Sequence, residues 1–219
     1  MIGLMKRDVI ISRAPFLSAL FLIPFAYITS LPPIYVSVGL IIPVIVISIL
    51  FLDYRANMNR FTISLPINNK LIVPSRYISL LLLWIVVVLY QYIVGQIYGS
   101  LSSLPRYIYN WKDVMTVISL GILLKALLIP IYYLFKSFVI ACSISVFVYF
   151  WVLFGSFFPL TDVLGMDDYI LFNDIDQGFV PLVEKYIPFQ PFIVLGLVSI
   201  VLYFLSMKIS TTFFLRKEH

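Results

Sequence analysis

Six long apolar runs, separated by short polar breaks, set the pattern of this chain. A run of about 18 or more mostly apolar residues is long enough to cross a bilayer as a helix. The runs predict spans over 15–30, 34–52, 77–99, 113–134, 138–159 and 189–211, the first of them short unless the segment before it feeds into it. Ahead of them, residues 1–14 mix Lys6, Arg7, Asp8 and Arg13 with Ile2, Leu4, Val9, Ile10 and Ile11. That mixture predicts an amphipathic helix lying in the membrane interface. The same start has the charge order of a signal peptide, but no convincing small-residue cleavage site precedes Pro32.

The breaks have their own signals. Leu31-Pro32-Pro33 predicts a tight turn, and Pro43 predicts a kink within the second span. Tyr107, Tyr109 and Trp111, in the connection 100–112, read as an interfacial aromatic belt. The loop 160–188 carries Asp162, Asp167, Asp168, Asp174, Asp176 and Glu184 against Lys185 alone, with a weak helical pattern broken at Pro181. Its acids read as a solvated face or an outer gate. Asn173, Asp174 and Asp176 lack the spacing of an EF-hand calcium loop.

Composition removes whole classes of function. The chain is 62% hydrophobic and only 11% charged, where soluble domains are about a quarter charged. An all-α membrane protein follows, with residues 1–219 forming one transmembrane domain. One cysteine, Cys142, precludes an internal disulfide, and the sole histidine is His219. Metal sites or base catalysis built on those side chains have almost nothing to draw on. None of the 9 glycines is followed by lysine, so there is no phosphate-binding loop and no ATPase within the chain.

The net charge of +5 is spread over span ends, as topology determinants are, which gives no nucleic-acid signal. With both ends in the cytoplasm, 11 of the 15 basic residues lie inside. Arg106, Lys112 and Lys185 lie outside, and Lys125 falls within the fourth span. Positive residues favour the cytoplasmic side, so both termini are expected there and 160–188 outside.

The segment 53–76 is the most informative break. It holds Arg55, Arg60, Lys70 and Arg76 against Asp53, yet also Met58, Phe61, Ile63 and Leu65, which are costly in a solvated loop. Residues 54–64 can form two or three helical turns before Pro66, and Asn68-Asn69 signals a turn. An ordinary basic loop remains the plainer reading.

Asp53, Arg60, Ser64-Leu65-Pro66-Ile67, Lys70 and Ser75-Arg76-Tyr77 resemble the loop of compact type-2 permeases of ATP-binding-cassette (ABC) transporters. The stretch Ile129-Pro130-Ile131-Tyr132-Tyr133-Leu134-Phe135-Lys136 is similar to the turn that this family places between spans four and five. Relatives often carry two acids where this chain has Asp53 alone.

The resemblance implies that 53–76 is a cytoplasmic coupling helix seated on a separate ATPase subunit. Tyr54, Phe61 and Leu65 would be its apolar knobs, and Asp53, Arg55, Arg60 and Arg76 its polar contacts or surface anchors. It further implies a second permease chain, identical or not, and no cofactor here, since the partner ATPase would bind ATP and magnesium. The function implied is export of amphipathic peptides or of lipophilic or antimicrobial compounds. Within the family the chain looks somewhat like the permease subunits of staphylococcal exporters for phenol-soluble modulins.

Three intramembrane polar residues carry open readings. Lys125 either faces a pathway or seam, or snorkels toward one surface. Gln91 and Gln96 either hydrogen-bond between helices or line a cargo path. A self-contained channel or secondary carrier, and a non-transporting scaffold or immunity protein, remain as alternatives.

Overall fold

The computed structural model describes residues 2–11, 13–29, 31–55, 69–101, 108–135, 137–164 and 172–217. Among these the fold is all helix, with no strand. Helix α1 is Ile2–Ile11 and α2 is Arg13–Thr29. Helix α3 runs Pro33–Arg55, and α4 is Ile72–Leu101, entered through a 3-10 turn at Asn69–Leu71. Then come α5 (Trp111–Leu134), α6 (Phe138–Leu164), a 3-10 stretch at Phe172–Gly178, α7 (Phe179–Tyr186) and α8 (Pro191–Lys217). Five of these, α3, α4, α5, α6 and α8, are long and apolar enough to span a bilayer. The sixth expected span, α2, is a shorter apolar helix of 17 residues.

Alternating direction puts α1 and the ends of α3, α4, α5 and α8 that lie near Arg55, Ile72, Leu134 and Lys217 together at one end. This is called the basic end below. The opposite end carries Asp176 and α7 and is called the acidic end.

The spans differ in how deeply they are packed. In its most apolar stretch α3 is 61% buried and α5 is 56% buried, but α6 only 11%. Helix α5 is therefore central, flanked by α4, α8 and α6, and α6 stands at the periphery. Phe147, Trp151, Phe154 and Phe158 on α6 are exposed. In a bilayer that exposure costs nothing, because lipid tails are as apolar as the side chains.

Local chemistry explains several element boundaries. Asn110 caps α5, accepting from the Lys112 and Asp113 amides while Asp113 accepts from the Asn110 amide. Such a reciprocal box satisfies orphan donors at a helix start. The irregularity expected at Pro43 takes the form of a π turn over Ser37–Ile41. A proline ring crowds the carbonyl four residues back, here that of Gly39, and a wider turn moves that carbonyl away. Gly39 also lets α6 approach: a Cβ there would lie 3.1 Å from the Tyr149 hydroxyl.

Two expectations are corrected. Pro181 does not break the loop's helix but sits in the first turn of α7, where a missing amide proton costs nothing because that donor has no intrahelical partner. Tyr109 is not part of an exposed belt: it is buried, whereas Trp111 is exposed and meets Phe192 at 5.6 Å. Tyr107 lies outside the described residues.

Candidate functional site

Four charged side chains meet at the basic end. Arg76 on α4 is 3% exposed, Asp53 on α3 is 4% exposed and Asp8 on α1 is 1% exposed. The Arg76 guanidinium pairs directly with the Asp53 carboxylate and lies 4.0 Å from Asp8. Arg7 binds Asp8 at 2.8 Å and reaches within 4.0 Å of Asp53. Arg76 Nη1 also donates to the Tyr133 hydroxyl of α5 at 3.4 Å. Two arginines and two aspartates make a neutral cluster, so each buried charge finds an opposite one. Burying any of them alone would be prohibitive.

The geometry explains why Ser75-Arg76-Tyr77 stand in a row. Arg76 turns toward α1, α3 and α5. Tyr77, one residue on, turns toward α8, where its hydroxyl meets Ser206 at 2.8 Å and Ser210 at 2.7 Å. Tyr203 donates to the Tyr77 carbonyl at 2.7 Å, and Ser206 donates to the Ala126 carbonyl of α5 at 2.7 Å. Ser75 donates back to the Ile72 carbonyl at 2.8 Å. The start of α4 is thus tied to four other helices within two residues. The tyrosines of the second motif divide similarly. Tyr133 faces Arg76 and the Phe214 ring. Tyr132 stands 5.7 Å from Phe138, which also meets Phe51 and Tyr54.

The residues singled out in 53–76 therefore part company. Asp53 and Arg76 face inward and pair with each other. Tyr54 is 57% exposed and stacks on Phe138 at 5.3 Å, and Arg55 is exposed beside it. Arg60, Phe61 and Leu65, with the predicted helix over 54–64 from residue 56 onward, lie outside the described residues. Sequence reasoning missed Arg7, Asp8 and Tyr133 as members of the cluster. The available signal was Asp8 itself, an acid among Lys6, Arg7 and Arg13.

A second polar cluster lies at the acidic end. Asp176, 1% exposed, accepts from the Ile34 amide at 2.9 Å and from the Tyr109 hydroxyl at 2.5 Å. Pro32, at the N-cap of α3, has no side chain that could cap the helix. Asp176 supplies that acceptor from 142 residues away, at a helix start that favours negative charge. The expectation of a solvated acidic face is corrected at this residue, while the side chain of Asp174 lies outside the described residues. Burial pushes the Asp176 carboxyl up to about 7; hydrogen bonds from Tyr109 and from the Ile34 and Tyr35 backbone oppose the rise, and the Asp113 charge adds to it. Burial, and then the charge on Asp176, hold the Tyr109 hydroxyl well above its usual range.

Both glutamines point at this cluster. Gln91 donates to the Tyr109 hydroxyl at 3.3 Å, and Gln96 to the Tyr109 carbonyl at 3.1 Å. The Tyr27 ring packs against Tyr98 and Tyr109.

Lys125 does not snorkel. It is buried between the two clusters, donates to the Leu80 carbonyl at 3.2 Å and lies 5.1 Å from the Trp84 ring centre. Trp84 in turn donates to the Ile118 carbonyl at 3.2 Å. A Cβ on Gly121 would collide with the Trp84 ring, so only glycine lets α4 and α5 close here.

The remaining feature is a cavity of about 560 Å³ between α3, α5, α6 and α8, apolar along almost its whole length. None of Lys125, Gln91 and Gln96 lines it.

No curated protein and no solved structure matches this chain. A family description, ABC-2 family transporter protein, matches it over residues 3–214 of 219. That match covers all eight helices almost completely, and the chain belongs to the ABC-2 family of transporter proteins.

Proposed function

We propose that the chain is the membrane half of an ATP-driven exporter whose basic end faces the cytoplasm. Family membership implies work in a bilayer with an ABC ATPase. The finer reading is that 53–76 docks on that ATPase through Tyr54, Arg55, Arg60, Phe61 and Leu65. Asp53 and Arg76 brace it from behind. ATP and magnesium belong to the partner, and a second permease chain completes the pathway. The cargo is an amphipathic peptide or a lipophilic or antimicrobial compound that partitions into the membrane before export.

One observation carries this reading. Asp53 and Arg76 are the first and last residues of the segment, and they are paired to each other and to α1. The two ends of the segment are therefore clamped together. A push on it reaches α1, α3, α4 and α5 as one body, which is what a lever between a closing ATPase pair and the spans requires. Tyr77 extends the same clamp to α8.

Co-purification with the candidate ATPase tests the docking. The wild-type chain is expected to bring the ATPase down, and Phe61→Asp to lose it while the chain still folds and inserts. A wild-type chain that captures no ATPase would overturn the proposal.

A further inference from the structure

The cavity at the periphery of the bundle has a definite shape. Its walls are Val38 and Gly39 from the π turn of α3, Leu123 and Leu127 from α5, Leu153 from α6 and Leu205 from α8. It follows α5 from Leu120 to Pro130, which at 1.5 Å per residue is about 15 Å along the helix axis. Phe179 of α7 joins the lining at the acidic end and meets the Tyr35 ring at 5.6 Å. Leu127 is 52% exposed and Leu205 is 49% exposed, so the slot opens sideways on the lipid-facing surface.

Its chemistry narrows the occupant. Among the described residues, none that lines it is charged. Tyr35 and Ser156 pair at 3.3 Å, Ser156 also donates to the Leu153 carbonyl, and Ser206 donates to the Ala126 carbonyl. The Tyr149 hydroxyl is the other polar side-chain group of the lining, so the slot has little with which to hold a polar head. Water does not fill a cavity without polar partners. An amphipathic peptide helix would bring a polar face for which this lining offers few partners. A single hydrocarbon chain matches the length and the polarity of the slot, and the surrounding bilayer supplies such chains at the opening.

We infer that this slot is a binding site for one acyl chain of a bilayer phospholipid, held between α6 and α8 against the π turn of α3. The site recognises the tail and leaves the head group at the surface. Because the tail packs on Val38 and Gly39, it supports α3 where the regular hydrogen-bond ladder is interrupted. The inference rests on membrane placement and does not depend on which cargo is exported.

The test uses the full chain in nanodiscs of phosphatidylglycerol carrying a photoreactive diazirine in one acyl chain. Adducts are mapped by mass spectrometry after photolysis. They are expected to concentrate on peptides holding Val38, Leu123 and Leu153, out of proportion to exposure. Leu205→Trp fills the slot and is expected to lower those adducts at least five-fold, leaving adducts at Phe147 on the open face of α6 unchanged. Val152→Trp, which fills the slot from α6, gives the same reading if the first variant folds poorly. Adducts that simply follow exposure, strongest at Phe147 and Trp151 and indifferent to both fillings, would overturn the site. Displacement of the lipid probe from the slot by a small amount of an amphipathic helical peptide would assign the slot to peptide and equally overturn it.

Discussion

The two ends of the molecule bury acids in opposite ways. At the basic end Asp53 and Asp8 are neutralised by Arg76 and Arg7. At the acidic end Asp176 has a helix start and a tyrosine hydroxyl but, among the described residues, no paired cation. The first arrangement fixes charge in place and ties helices into one body. The second holds a carboxyl that gains or loses its proton near neutrality. One substitution, aspartate to asparagine, separates the two. It removes a charge with almost no change of shape, so its cost reports what the charge was doing.

The largest effect is expected at the basic end. Asp53→Asn leaves the Arg76 guanidinium buried without its main partner, and breaking one side of a buried pair costs about 3–5 kcal/mol. The thermal unfolding midpoint in detergent should fall sharply, and Arg76→Met should do the same. Combining the two should cost less than the sum of the singles, because no charge is then left alone. A pair whose effects simply add would break the comparison at its stronger end.

Between the clusters, Gly121→Ala forces a methyl into Trp84. Overpacking of that kind costs about 1–3 kcal/mol, read by the same melt. A neutral outcome would mean that α4 and α5 are free to separate, and the two ends could not be linked through them.

Tyr109→Phe removes the hydroxyl shared by Asp176 and Gln91, with an expected cost of about 1–2 kcal/mol. Asp176→Asn is expected to cost least of all. In the folded chain the carboxyl holds its proton to about pH 7, whereas an unfolded aspartate releases it near 3.9. Between those values the folded state binds more protons than the unfolded state. Stability therefore falls as pH rises across the window and levels off above it. Asp176→Asn should flatten that slope in melts recorded from pH 4.5 to 8.5, with little loss at the alkaline end. A slope that survives the substitution would place the titration elsewhere.

How much of this could be read from the sequence differs between fold and site. The apolar runs are long, and their ends carry prolines, charges and caps, so the all-helical fold and the approximate spans follow from local chemistry. Helix α2, at 17 residues, is where length alone gives the weakest signal. The partners of buried polar groups are a different matter. Asp53 and Arg76 attract notice because they flank the segment, but no linear pattern says that they face each other. Asp176 and the Ile34 amide are 142 residues apart, and the only local hint is a pair of prolines leaving a helix start without a cap. Gln91 and Gln96 are legible as hydrogen-bonding groups, and their shared partner, Tyr109, reads in sequence as a surface aromatic.

The central claim is that the Asp53–Arg76 clamp passes motion of 53–76 to the spans. Spin labels at Leu71→Cys and Leu134→Cys, both exposed, in a Cys142→Ser background bound to the ATPase, measure it across the basic end. Trapping the ATPase with ATP and vanadate should shift the label distance in the otherwise wild-type chain. In Asp53→Asn the shift should disappear although the ATPase stays bound. A full shift in Asp53→Asn would contradict the claim, because motion would then reach the spans without the clamp.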